Sequence, residues 1–238
     1  MNGGHQDPLR DGFPFLPLSR DGLVERVAES LVGAILSGRI APGDRLAEST
    51  IARQMNLSRA PVREAMRLLE NSGLVEYRTN RGFFVQVLSA KAFADIYDLR
   101  ILLECAAVRA LTDTNAEAAL PGLRAQLAQM YRMAEEGADM MAHVSADMAF
   151  HRLICEGSGN GKFLQVFDQI ANETKLGLLV IGRLYDDPQR MASTHDPIVE
   201  AIARGDAEGA AAAIEYHIGV ARDLVTRKFT DQEEITAR

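Results

Sequence analysis

The chain has 238 residues and a mass of 26.0 kDa, enough for two ordinary domains of about 100–150 residues each. With 47% hydrophobic and 25% charged residues it can bury a core, which excludes a disordered or collagenous chain, and no run of about 18 apolar residues offers a membrane span. The formal net charge of −7 divides unevenly, residues 1–90 carrying +1 and 91–238 carrying −8, with seven Arg against four Glu within 45–81; a locally basic segment joined to an acidic body suggests two jobs.

Residues 1–20, rich in Gly, Pro and Asp, read as a mobile tail without an export signal. Cys105 and Cys155 are the sole cysteines, which gives no disulfide framework and suits a reducing cytoplasm. Apolar residues at Leu23, Val27, Leu31, Ala34 and Ile35 recur at helical spacing up to Gly38, and Ala41-Pro42-Gly43-Asp44 forms a turn. A short helix fits Glu48 to Met55 and ends at Asn56, which tolerates a left-handed backbone.

A third helix starts at Ser58 as N-cap, carries Pro61 in its first turn and stops at Gly73. Val62, Met66 and Leu69 line one face of it, and Arg59, Arg63 and Arg67 line another. Leu74–Arg78 and Phe83–Val87 are β-prone runs separated by Thr79-Asn80-Arg81-Gly82, a hairpin with an Arg-Gly tip. Helix, helix-turn-helix and hairpin together predict a winged helix over 21–88.

Six helical patterns follow, over roughly 91–112, 116–136, 139–156, 162–184, 188–204 and 206–228, broken by Gly137, Gly157 to Gly161, Asp186-Asp187-Pro188 and Gly205. The expected fold is mostly α: a winged helix-turn-helix with a small β-hairpin wing, then an all-α six-helix bundle over 91–228 and a C-terminal tail over 229–238.

In a helix-turn-helix the second helix enters the major groove with its N-terminal residues near base edges. Ser58, Arg59, Ala60 and Arg63 hold that place, and Arg81-Gly82 at the wing tip is set to meet an adjacent backbone or minor groove. A solvated basic face is the blander account of the same arginines. The run Leu57-Ser58-Arg59-Ala60-Pro61-Val62-Arg63-Glu64-Ala65, with Leu69-Glu70, Gly73-Leu74-Val75 and Arg81-Gly82, resembles the DNA-binding domain of the GntR family of bacterial transcription regulators. The resemblance makes Arg59 and Arg63 recognition-helix contacts and Gly82 the wing-tip glycine. This chain has Asn56 and Ser49 where many or some members have Gly and Arg.

In the bundle, Asp147 and His151 stand four apart on one helix face, while His195 and His217 fall on later helices. Imidazole and carboxylate suit a borderline divalent ion, but spacing alone leaves scattered surface groups as the commoner explanation. Asp147-x-x-x-His151 with Asn160 downstream, His195-x-x-Ile198, Ala201-Ile202-x-x-Gly205-Asp206 and His217-Ile218 resemble the FCD (FadR C-terminal) effector domain, and six helices resemble its VanR-like branch. That resemblance implies a divalent metal (Zn²⁺, Ni²⁺ or Mn²⁺) held by Asp147, His151, His195 and His217.

Arg100 and Glu104, again four apart, form an ordinary ion pair or, by the resemblance, contribute to a pocket in which Arg100 holds a ligand carboxylate; Asn172 and Arg183 are further pocket candidates. The reading is a cytoplasmic homodimeric regulator, a repressor by analogy, that binds an inverted-repeat operator in double-stranded DNA and senses a small carboxylate effector. A metal-dependent hydrolase or lyase with a DNA-binding appendage is the alternative, against which no general base or nucleophile pair stands out.

Overall fold

In the computed structural model, residues 22–181 and 187–236 are described. The expected N-terminal tail and Arg183 lie outside them. The first half of the fold is assembled from short amphipathic pieces. Helix α1 (Leu23–Leu36) buries Val27, Leu31 and Ile35, and α2 (Glu48–Gln54) buries Ile51. The turn to α3 (Arg59–Asn71) passes through Asn56 at φ 53°, the left-handed conformation that the side chain of Asn tolerates. Ser58 stands at the N-cap with extended backbone, but its hydroxyl makes no capping hydrogen bond, so only the backbone half of the expected cap forms. At the other end Gly73 (φ 70°) donates to Glu70 O and Leu74 to Leu69 O, each at 3.1 Å, the paired bonds of a glycine-terminated helix.

The wing is β2 (Val75–Arg78) and β3 (Gly82–Val85), antiparallel, with Arg78 opposite Gly82. Sequence reading missed β1 (Arg45–Leu46), which pairs with β3 and makes a three-stranded sheet of order β1-β3-β2. Two residues are too few for period-two alternation to register.

The bundle consists of α4 (Ala90–Thr114), α5 (Ala116–Glu136), α6 (Met140–Gly157), α7 (Gly161–Ile181), α8 (Pro188–Ser193), α9 (Asp196–Ala203) and α10 (Ala207–Thr236). Ser89 and Asp139 cap α4 and α6, each side chain accepting from a backbone N–H three residues on. The pattern over 188–204 is two helices, because Pro197 lacks the N–H that would bond the Ser193 carbonyl; the chain restarts as α9 with His195 at its N-cap position. Counted as one bent element, α8 and α9 give the expected six helices; counted apart, seven among the described residues.

Residues 229–236 are not a tail. Helix α10 runs on to Thr236, and Phe229, 2% exposed, packs its ring 5.2 Å from that of Phe93. Gly177 lets α7 approach the same aromatic cluster, since a Cβ there would lie 1.9 Å from Phe93.

Two apolar cores result, and one helix serves both. Leu178 of α7 belongs to the bundle core, while Leu176, fully buried, joins Val27, Leu31, Val62 and Leu69 in the winged-helix core. Glu173 lies against Gly73 at the same junction, so closely that a Cβ at Gly73 would push the Glu173 side chain aside.

Truncating a core phenylalanine costs about 3–5 kcal/mol. Phe229→Ala is therefore expected to lower the stability to urea by about 3 kcal/mol, whereas an unstructured tail would give no change.

Candidate DNA interface and metal centre

Ser58, Arg59, Ala60 and Arg63 all lie exposed on the N-terminal half of α3. The basic stripe is partly spent within the domain. Arg63 donates to both carboxylate oxygens of Glu48 on α2, at 2.9 and 2.7 Å, and this hydrogen bond draws the Glu48 carboxyl below its ordinary range. Arg67 bonds Glu70 at 2.6 Å and lies 4.5 Å over the Tyr77 ring; Arg78 pairs with Glu76 and covers Phe84 at 4.3 Å. Arg45, Arg53, Arg59 and Arg81 stand outside the ion pairs of the described residues. An exposed pair such as Arg63–Glu48 is weak in water and exchanges readily for a phosphate.

Arg45 is the candidate that sequence reading missed. Through β1 its guanidinium comes within 3.9 Å of where a Cβ on Gly82 would sit, beside the Arg81-Gly82 wing tip. Only the two-residue strand brings it there, and nothing in the local pattern signals that strand.

Inside the bundle the four separated positions converge. One donor atom from each of Asp147, His151, His195 and His217 lies within 4.8 Å of the others. Asp147 and His151 come from one face of α6, His195 from the α8–α9 break and His217 from α10. His195 Nε2 is 3.2 Å from Asp147 Oδ1, and His151 Nε2 and His217 Nε2 are each 3.9 Å from that carboxylate.

Each outer nitrogen meets an oxygen. His195 Nδ1 faces the carbonyls of Met191 (3.1 Å) and Ala192 (3.3 Å), which can only accept. His217 Nδ1 faces Thr194 Oγ1 at 3.0 Å, and that hydroxyl gives its own proton to Met191 O at 2.7 Å, so it too accepts. His151 Nδ1 faces Glu104 Oε2 at 2.5 Å. A proton on each Nδ1 serves these oxygens and leaves the three Nε2 atoms to face inward as ligands. His151 Nε2 and His217 Nε2 lie 3.2 Å apart, and His195 Nε2 is buried without a hydrogen bond.

Burial alone would raise the Asp147 carboxyl, but the His195 ring, with Nε2 3.2 Å away, and the neighbouring His151 and His217 imidazoles hold it well below the usual range. Burial, reinforced by His195 and His151, pushes His217 well below the usual imidazole range, towards its neutral form. A neutral imidazole and an ionised carboxylate are the forms that bind a cation. Bonds of about 2.0–2.2 Å from such ligands place neighbouring donors about 3–3.5 Å apart, close to the shorter separations here, so the residues fit a divalent ion.

Arg100, 3% exposed, donates Nε to Glu104 Oε1 at 2.9 Å. It lines a small cavity together with Tyr97, Asp147, Leu178, Met191 and His217. Its water-accessible volume is about 20 Å³, room for about one water. Two expected pocket residues are not among the lining. Glu104 is fully buried, with one oxygen on Arg100 and the other on His151. Burial opposes its ionisation, but His151 and Arg100 hold its carboxyl low. Asn172 stands four residues before Leu176, so its helical phase turns it with Leu176 towards the winged helix. Burial pushes the Cys105 thiol up to about 11, and both cysteines are buried and free.

Comparison with known proteins agrees with this architecture. The profile "Bacterial regulatory proteins, gntR family" matches residues 23–85, and "FCD domain" matches 95–220. The "Probable D-xylose utilization operon transcriptional repressor" of Paenarthrobacter nicotinovorans is 32% identical over 84% of this chain and 88% of its own length. The gluconate operon transcriptional repressor of Bacillus subtilis (strain 168) is 28% identical over 82% of this chain and 81% of its own. The "Uncharacterized HTH-type transcriptional regulator YdhC" of the same organism is 33% identical, over 57% of this chain and 61% of that protein. Among solved structures, a putative GntR regulator from Rhodococcus sp. RHA1 superimposes with a TM-score of 0.69 at 27% identity, covering 85% of this chain and 96% of its own. E. coli McbR/YncC shares the fold with a TM-score of 0.74 at 20% identity over 87% and 98%. These relatives are regulators and not enzymes, which sets aside the hydrolase or lyase alternative. A winged helix with an exposed basic recognition helix, joined to a helical bundle that gathers an Asp and three His, thus belongs to the GntR family of DNA-binding transcription regulators, in the group that carries an FCD domain.

Proposed function

We propose that this regulator is a cytoplasmic homodimeric repressor whose bundle binds a divalent metal and a small organic acid, and whose operator affinity answers to that acid. The observation that carries the metal half is the convergence of three imidazole Nε2 atoms and one carboxylate in a buried site. Asp147, His151, His195 and His217 would hold Zn²⁺, Ni²⁺ or Mn²⁺, and the ion would supply a Lewis-acidic partner for one oxygen of the acid.

Arg100 supplies the second partner. Its Nε is taken by Glu104, which leaves the two Nη groups, with no hydrogen bond among the described residues, for bidentate recognition of a carboxylate. A cavity with room for about one water supports coupling, because an acid can enter only by shifting the helices around it. A ligand that fits one of two arrangements biases the equilibrium between them. The gluconate repressor among the relatives suits a hydroxy-acid effector.

Leu99 and Leu102 on α4 and Tyr216 and Val220 on α10 are exposed, Leu102 and Tyr216 by 73% and 74%. They lie on the two helices most intimately packed together and supply an apolar face for a second copy. Two-fold pairing would present two α3 helices to an inverted-repeat operator.

Arg59→Ala and Arg63→Ala are each expected to weaken binding about tenfold, for a loss of about 1–3 kcal/mol, to a duplex that the protein selects in vitro from random sequences. Fluorescence anisotropy reads this, and unchanged affinity in both variants overturns the recognition-helix assignment. Elemental analysis with native mass spectrometry is expected to find a dimer with about one metal per chain, lost in His195→Ala or His217→Ala; full metal in both variants refutes the ligand set. Arg100→Lys keeps the charge but not the fork. With gluconate and other small hydroxy-acids as probes, it is expected to bind DNA as wild type while losing the effector response; a normal response would move the carboxylate anchor elsewhere.

A further inference from the structure

Glu104 stands out as a charged, fully buried side chain that neither donates to the converging set nor lines the cavity. Sequence spacing assigns it to Arg100 alone. In the fold its two oxygens serve different partners: Oε1 accepts from Arg100 Nε at 2.9 Å, and Oε2 accepts from His151 Nδ1 at 2.5 Å. Both oxygens are thus engaged within the protein.

We propose that Glu104 is a positioning residue that joins the two halves of the site, fixing His151 with its Nε2 bare and inward while holding Arg100 by Nε so that its Nη edge faces the cavity. The proposal rests on the metal-and-acid reading above. The three rings differ in how they are oriented. His195 leans on backbone carbonyls and His217 on a threonine hydroxyl, both neutral, whereas His151 leans on a carboxylate. A carboxylate behind an imidazole N–H fixes the tautomer and makes the opposite nitrogen a stronger ligand, and removing such a partner costs about 10–100-fold in metal affinity. Arg100 supplies the counter-charge that lets the carboxylate remain ionised in an apolar bundle.

The role makes a definite chemical demand on its replacement. In Glu104→Gln the side chain keeps its shape but has one acceptor oxygen for two N–H groups. Arg100 cannot give up its proton, so it keeps the oxygen, and the amide NH₂ turns to His151. Nδ1 must then accept, and the ring proton moves to Nε2.

The test uses full-length protein labelled with ¹⁵N-histidine, with long-range ¹H–¹⁵N correlation spectra recorded metal-free and zinc-loaded, His151 being assigned by the signal lost in His151→Gln. Metal-free wild type is expected to show His151 protonated on Nδ1 and Glu104→Gln to show it on Nε2. Zinc affinity by chelator competition is expected to fall 10–100-fold, with the helical circular-dichroism spectrum retained. An unchanged tautomer in Glu104→Gln, or unchanged zinc affinity in a wild type that binds zinc, overturns the positioning role. A wild type that takes up no zinc, yet whose His151 tautomer still follows Glu104, upholds the positioning and refutes the metal reading instead.

Discussion

Everything in the C-terminal half is organised around a charge problem. Around the cavity the bundle buries the imidazoles of His151, His195 and His217, the Arg100 guanidinium and the Glu104 carboxylate at exposures of 6% or less, with the Asp147 carboxylate beside them. An isolated buried charge is prohibitive, and even a buried pair returns its desolvation cost only when its remaining valences are satisfied. Here they are satisfied on the outside. Thr194, the Met191 and Ala192 carbonyls and Glu104 occupy every outward nitrogen of the rings. The inward nitrogens have only each other and Asp147, an arrangement of donors that a cation completes.

The DNA-binding half meets the opposite condition, with charges in water where pairing is cheap and reversible. Acidic residues within the domain tie down Arg63, Arg67 and Arg78, and aromatic rings of the wing support the guanidinium planes of Arg67, Arg78 and Arg81. Such stacking limits the rotamers of long side chains before DNA arrives, which lowers the ordering cost on binding. Arg59, outside these pairs at the first position of α3, keeps its full freedom.

Most helices were legible because their boundaries are chemical. Gly73 and Gly137 each mark an end that the structure keeps, while the Ser89 and Asp139 caps emerge only in the fold. What escaped depends on distance along the chain. Strand β1 exists only because β3 lies beside it, and the helical end of α10 only because Phe93 receives Phe229. The Asp147–His151 pair was readable from helical spacing. His195 and His217 came from family resemblance, since no local rule relates residues on separate helices. The hydrogen bonds that orient the rings were invisible altogether: Thr194 looks like any helix-end threonine, and Glu104 announces Arg100, four residues away, but not His151.

Helix α7 bears on what counts as a domain in this protein. Sequence draws the winged helix as 21–88, yet its apolar centre includes Leu176 from the middle of the chain. A fragment cut after Leu88 would keep every candidate DNA-contacting residue and lose part of its own interior, the place that Leu176 fills. The smallest piece that preserves the packed DNA-binding unit is therefore discontinuous in sequence, and its missing part is a turn of a helix that also borders the cavity through Leu178.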